Sequence, residues 1–475
     1  MLKGKPVKKR PTVYRHGNKF ACGSTRSGKS EGELPEIVAA AKRRDLAIVC
    51  CDPHPRSLAW KALQQLAARG HQSRIIFDQL PHFGRVPGYQ FLVPSKARNP
   101  YRRESQNEQT ARQFADILCR RGNRGSLSSA PLTEEWTMKA TQLLLAQRSP
   151  RPASDLRYAF QPDHPIQKLL IRNCTDKLIA FEFSQIASGK TKRGQYAPAA
   201  RLIEGVCGSP AFRARCGNTF AMEPFLDDGG MLLVEGGEDG VAPEVSQTIM
   251  SSIVMKVINY VRKRPTPFPR VLLVLDEATN ANLVSSHEAA ALAECQKMGL
   301  DIHILVQLLD FPTADICNAV LSNSVRHEWY YNANPNVIRK AIDDLGLRAG
   351  DSFQGDELRS LKVGERWVKY RGKTKERVWR EQGQLLQNPW VLPRLATKKG
   401  FKALAEIRRR PEFQTPVFDD ENQLANNDQP KIGSTGSAAE NLRRLIEQQQ
   451  NDDQKPRLPE PAENDNQDDH GGDDD

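Results

Sequence analysis

No run of 18 consecutive apolar residues occurs in the chain, so the sequence carries no transmembrane helix. Met1–Arg10 is basic but leads into no apolar core, which excludes a secretory signal as its reading. The nine cysteines are scattered, without a CxxC pair or a Cys/His spacing that suits zinc. A zinc ribbon and a disulfide scaffold are thereby excluded, and the usage fits a reducing, cytoplasmic setting. Cys50 and Cys51 lie together in an apolar run and read as core. No repeat of fixed period appears, which excludes a solenoid. The rest is ordinary for a soluble chain: 475 residues, 39% hydrophobic and 27% charged, enough for two or three folded units and a polar tail.

The charge is unevenly spread. Residues 418–475 hold 16 acidic and 5 basic side chains, so the net charge of +12 leaves +23 on the remaining 417 residues. Such a block favours a polyanion, with nucleic acid the first candidate and a solvated basic surface the plain alternative. The acidic tail has too little apolar surface to offset ordering entropy and is expected to be disordered, with one short helical pattern at 438–450. It is a candidate surface for a protein partner, or simply a solubilising extension. Residues 1–17 carry six basic and no acidic side chains and read either as a flexible arm for phosphates or as an untidy terminus.

The sharpest motif is Gly23-Ser24-Thr25-Arg26-Ser27-Gly28-Lys29-Ser30, which meets GxxxxGK[ST] at every fixed position. Gly23 and Gly28 let the backbone wrap closely, so that successive N–H groups face phosphates. Lys29 reaches the β- and γ-phosphates, and the Ser30 hydroxyl ligates Mg²⁺. The apolar stretch Phe20–Cys22 precedes the loop as a strand should, and Glu31–Lys42 follows as a helix, with Pro35 in its first turn. A second half-site is Arg270-Val-Leu-Leu-Val-Leu-Asp276-Glu277, a buried-strand pattern delivering two carboxylates at its C-terminal end. Asp276 suits Mg²⁺, and Glu277 suits polarising an attacking water. The third strand, Asp301–Gln307, ends in a polar residue placed to sense the γ-phosphate, while His303 within it reads as a packed core histidine.

Together these residues resemble the FtsK/HerA superfamily of P-loop ATPases, and within it the type IV coupling proteins (TraD/TraG-like) and HerA-like translocases. Arg26 stands where the family's GxTGSGKS has Gly. Further matches follow in order: Ile48–Pro53 as a strand ending in Asp-Pro, Asn99-Pro100, the Trp136–Leu145 helix, Gly230–Gly236, Gly299 through Gln307, and Leu361–Val368 with Gly364. The resemblance spans about residues 15–385. FtsK-type motors carry an Arg three residues before the sensor-strand glycine, whereas this chain has Gln296 there, with Lys297 beside it. The phosphate loop begins at Gly23, without the transmembrane helices that usually open a coupling protein, so membrane association is expected only through a partner. No FtsK-type winged-helix tail is recognisable.

Strands near 18–22, 45–52 and 73–78 alternate with helices at 31–43 and 57–69, which implies a parallel sheet. Residues 104–225 lose strand character and read as an inserted all-α subdomain with helices around 105–121, 133–148, 165–172 and 197–205. With the resemblance, the expected fold is an α/β, RecA-like P-loop NTPase with a parallel central sheet, that insertion and the disordered acidic tail. The expected layout is a basic arm at 1–17, motor core at 18–103, insertion at 104–225, motor core at 226–385, connector at 386–417 and tail at 418–475. The insertion carries Arg102, Arg103, Arg112, Arg120, Arg121, Arg124, Lys190, Lys192 and Arg193, which suit backbone phosphates or a solvated face. Residues 364–380 read as a hairpin with a basic turn. The implied function is ATP- and Mg²⁺-dependent movement of DNA by a ring, hexameric by resemblance, in conjugation or a related process. A P-loop ATPase acting on a protein partner and a HerA-like repair or packaging motor remain open. Catalysis is expected from Lys29, Glu277 and Gln307, with a transition-state arginine supplied by a neighbouring subunit. Arg326 is the leading choice for it, ahead of Arg262 and Arg270.

Overall fold

The computed structural model describes residues 14–119, 131–237, 240–279, 283–284, 286–346, 357–372, 375–383 and 392–416. The chain opens with β1 (Lys19–Cys22), α1 (Lys29–Ala41), β2 (Leu46–Asp52), α2 (Leu58–Ala68), β3 (Ile75–Gln79) and β4 (Val86–Pro87). Seven helices follow: α3 (Pro100–Cys119), α4 (Pro131–Leu145), α5 (Pro165–Asn173), α6 (Lys177–Ala187), α7 (Arg193–Cys207), α8 (Pro210–Arg215) and α9 (Met222–Asp227). The α/β alternation then resumes with β5 (Met231–Glu235), α10 (Pro243–Lys263), β6 (Arg270–Leu275), α11 (Ser286–Glu294), β7 (Leu300–Val306), α12 (Ala314–Asn323), β8 (Arg326–Tyr330) and α13 (Pro335–Leu345). The last described elements are β9 (Glu365–Arg371), β10 (Glu376–Gln382), α14 (Leu392–Ile407) and β11 (Phe413–Gln414).

Nine strands form one sheet in the order β10-β9-β8-β1-β7-β6-β2-β5-β3. The seven from β8 to β3 are parallel, and the β9–β10 hairpin adds an antiparallel edge. Every residue of β2, β5 and β7 is buried. That is why these strands read as continuous apolar runs: helices cover both faces. Strands are found at each of the positions expected from apolar runs, and the 364–380 hairpin is present as β9–β10.

Between β4 and β5 the chain is helical. The apolar residues of α6 do not keep to one face. Ile179, Phe183 and Ile186 are buried, whereas Leu178 and Phe181 are 68% and 60% exposed. Its start is set by Asp176, whose carboxylate accepts from the Leu178 and Ile179 amides. The C-terminal end of the helical segment is locked to the sheet by a fully buried ion pair. Arg215 Nε donates to Asp78 Oδ1 at 2.9 Å, and the Tyr89 hydroxyl donates to Asp78 Oδ2 at 3.0 Å. The guanidinium also donates to the carbonyls of Ala211, Gln79 and His82, so both buried charges are satisfied.

Two boundary expectations are corrected. Residues 14–17 are not part of a free arm. The Tyr14 hydroxyl donates to Asp301 Oδ2 at 2.6 Å and the Gly17 amide to Asp301 Oδ1 at 3.0 Å, an acceptor buried at the start of β7 and invisible in an arm read alone. Residues 392–416 are more than a connector: Phe401 packs on Trp60 of α2 at 5.1 Å between ring centroids, and β11 pairs with β4. The arm's residues 1–13, Arg120, Arg121 and Arg124, and the acidic tail with its 438–450 helix lie outside the described residues.

Candidate nucleotide site

In a parallel α/β sheet the C-terminal strand ends converge on one edge, and this chain puts its functional residues there. β1 runs into the phosphate loop, β6 into Asp276 and Glu277, and β7 into Gln307. Register keeps these ends level: Cys22 lies beside Val306, and Leu275 beside Ile304. The Gly23 amide donates to the Val306 carbonyl at 3.1 Å and the Ser24 amide to the Tyr331 carbonyl at 2.9 Å. The loop is therefore stitched to the ends of both neighbouring strands. On its far side the Gly364 amide donates to the Ser27 carbonyl at 2.8 Å.

The glycines are required by this packing. Gly28 has φ 95°, and a Cβ there would lie 2.6 Å from the Gly364 nitrogen. A Cβ on Gly23 would meet Tyr330 Cβ at 2.5 Å.

The charged side chains pair across the loop. Lys29 Nζ donates to Glu277 Oε1 at 2.8 Å, and both residues are buried. Ser30 Oγ donates to Asp276 Oδ2 at 3.0 Å. Thr25 Oγ1 donates to Gln307 Oε1 at 2.9 Å. Glu277 itself has φ 47°, a conformation uncommon outside glycine, and its amide donates to Asp276 Oδ1 at 3.1 Å. Burial pushes the Asp276 carboxyl above the ordinary range; Lys29 opposes this and Glu277 adds to it. On the adjacent strand, burial raises Asp52 well above that range and Asp276 reinforces the effect. Asp52 still accepts from the His54 and Ala59 amides, fixing the start of α2.

This donor set fits a magnesium–nucleotide. A glycine cradle, a lysine, and a hydroxyl bonded to a buried carboxylate whose ionised form lacks solvation supply what phosphates and a hard divalent ion require. Asp276→Asn tests the point. The raised carboxyl burdens the fold progressively as pH climbs past the ordinary carboxylate range. The Asn variant, measured without nucleotide, is therefore expected to melt above the parent at neutral pH, with the difference vanishing in acid. It is also expected to lose the stabilisation that Mg²⁺ and ATP confer. Thermal melts at several pH values check both, and a neutral-pH melt below the parent would refute the account.

Lys29, Ser30, Asp276, Glu277 and Gln307 are thus gathered at one edge. Arg326 is not with them. It pairs in register with Lys19 at the N-terminal end of the parallel strands, the end away from the loop. Arg326 Nη1 donates to Glu36 Oε1 at 2.9 Å, and Nη2 lies 2.5 Å from Glu328 Oε1. These contacts engage its guanidinium within its own chain. Arg262 and Arg270 are engaged likewise, with Glu294 at 2.9 Å and Asp301 at 2.6 Å. His303 is a buried partner of Glu33 at 2.7 Å, the packed histidine expected of it.

Sequence reasoning missed Asn332, whose Nδ2 donates to the Gln307 carbonyl at 3.0 Å and so fixes the residue after β7. Only its place just beyond β8 could have pointed to it.

No family model matches the chain, and no curated protein matches it. Solved structures do. A bacterial conjugative coupling protein, TrwB, in a trigonal form with sulphate aligns at a TM-score of 0.58 and 16% identity, over 86% of this chain and 99% of that one. The chain shares its fold with TrwB. TrwB in complex with the ATP analogue ADPNP aligns at 0.57 and 15% identity, over 81% of this chain and 96% of that one. TrwB with ADP and Mg²⁺ aligns at 0.56 and 16% identity, over 83% and 88%. The fold class is thereby established as the RecA-like P-loop architecture with a mostly parallel nine-stranded sheet. Among the described residues no helix is long and apolar enough to cross a membrane.

Proposed function

We propose that the chain binds ATP with Mg²⁺, hydrolyses it, and uses turnover to move DNA as a ring of copies, in conjugative transfer or a related process. The observation that carries this reading is the paired arrangement Lys29–Glu277 and Ser30–Asp276 across a phosphate loop, set in the fold of a coupling protein. The loop amides from Gly23 to Ser30 would cradle the phosphates, and Lys29 would leave Glu277 for the β- and γ-oxygens. Ser30 and Asp276 would hold Mg²⁺, which supplies charge neutralisation on the phosphates. Glu277, released from Lys29, would orient water and accept its proton. Gln307 would report the state of the γ-phosphate through Thr25, to which it is bonded. The +23 of net charge outside the tail supports a phosphate-directed, sequence-tolerant and salt-sensitive grip on DNA.

The experiment is ATP hydrolysis by the full chain, with and without single- or double-stranded DNA, at low and moderate salt, beside Lys29→Ala. Stimulation that fades with salt, and turnover or nucleotide binding lost in the Ala variant, are expected. Turnover indifferent to either DNA would refute the DNA motor and favour a protein-directed ATPase.

A further inference from the structure

Beside Mg²⁺, Lys29 is the one cationic side chain assigned so far to the triphosphate. Each arginine that the sequence offered to complete the charge is paired within its own chain: Arg262, Arg270 and Arg326. Arg26 differs. It is exposed at the turn of the phosphate loop, and among the described residues no hydrogen bond or ion pair engages its guanidinium.

Its backbone sits at φ 63°, the left-handed region that L side chains rarely adopt. The conformation is imposed from both sides. The Ser24 amide is held by the Tyr331 carbonyl at 2.9 Å, the Ser27 amide by the Ser24 carbonyl at 3.1 Å, and the Ser27 carbonyl by the Gly364 amide at 2.8 Å. Glycine would occupy this position without strain. A strained side chain kept at a site by surrounding bonds points to a role for that side chain. An arginine is always charged and offers a planar fork that matches phosphate oxygens.

We propose that Arg26 is a catalytic residue, donating to the β- and γ-phosphate oxygens of the ATP held in its own loop. This rests on the ATPase reading above. In the step it serves, the water oxygen bonds to the γ-phosphorus as the bridging P–O bond breaks. The bond's electrons leave with ADP, and the water's proton passes to Glu277. Arg26 neutralises the charge that gathers on the bridging and β-phosphate oxygens, in place of an arginine reaching across from another subunit.

Arg26→Gly separates this role from a structural one, because glycine relieves the backbone while removing the charge. Steady-state hydrolysis, ATP binding and thermal melting without nucleotide would be measured on the full chain. The expected result is turnover lower by roughly 10²-fold, the scale of losing one donor to a developing charge. Melting should stay at or above the parent, and Arg26→Lys should recover part of the rate. Turnover within about twofold of the parent would overturn the proposal, on the same scale of donor loss. So would a lost rate accompanied by a lower melting temperature. Activity regained on mixing Arg26→Gly with Lys29→Ala subunits would place Arg26 on a neighbour's nucleotide and overturn the assignment to its own. A parent chain that binds no ATP would defeat the ATPase reading and this assignment with it. A hydrolysing parent matched by Arg26→Gly would defeat Arg26 alone.

Discussion

Glu277→Gln is expected to bind ATP at least as tightly as the parent while hydrolysing it about 10²–10⁴-fold more slowly, the range for loss of a positioned general base. Both halves follow from one contact. Glu277 Oε1 accepts from Lys29 Nζ at 2.8 Å inside the protein, so a phosphate must compete with that carboxylate for the lysine. Glutamine keeps the side chain's size and a hydrogen-bond acceptor but carries no charge, so the competition weakens and Lys29 is freed for the nucleotide. The same change removes the base. A nucleotide titration set against steady-state hydrolysis reads the two effects separately. Hydrolysis at the parent rate would end the assignment of Glu277 as base. Unaltered rate with weakened binding would recast the Lys29–Glu277 pair as a support for the loop's shape. Lys29→Ala behaves differently, because binding and turnover fall together when the phosphate's own partner is lost.

The nucleotide edge was legible because its signals are local. Five apolar residues ending in Asp276-Glu277 can be buried only as a strand within a covered parallel sheet, and the glycines of 23–28 are spaced for backbone that must turn tightly. Chain order then supplied the level strand ends. What stayed hidden depends on partners far away in sequence. Glu33 and Glu36 look like the polar side of α1, yet they are 1% and 2% exposed. Nothing near them in the chain reveals that Lys19, His303 and Arg326 wait beneath. Arg326 looked free for the same reason: a charge is visible in a sequence, but its counter-ion is not. Lys19, set immediately before Phe20–Cys22, was the available hint, since a lysine placed against a buried strand needs a carboxylate. Residues 392–416 read as a connector because their receptor, the exposed side of α2 around Trp60, is more than 300 residues earlier.

Those hidden carboxylates set the second large effect. Glu33, Glu36, Glu328 and Glu381 meet Lys19, Arg326, Arg366 and His303 below the phosphate-loop helix. Lys19 lies 3.1 Å from Glu36, and Arg366 lies 3.0 Å from Glu328 and 2.8 Å from Glu381. Burial alone would raise Glu33, Glu36 and Glu328, but Lys19 and His303 hold Glu33 down at about 2, and Arg326 leads in lowering Glu36 and Glu328. The stabilisation is therefore present above the ordinary carboxylate range and lost as pH falls from there towards about 2. Arg326→Met leaves Glu36 and Glu328 without their nearest arginine. It is expected to cost about 3–5 kcal/mol, the scale for breaking a buried pair by removing one partner. Adding Glu36→Gln should restore part of that loss, because one unpaired buried charge is removed with its partner. Turnover per folded molecule should stay near the parent, since Arg326 lies at the end of the strands away from the loop. Denaturant unfolding of the two single variants and the double gives the coupling, and hydrolysis on the folded fraction gives the rest. A collapse of turnover at unchanged stability would restore Arg326 to a catalytic role and remove the ground for looking to Arg26.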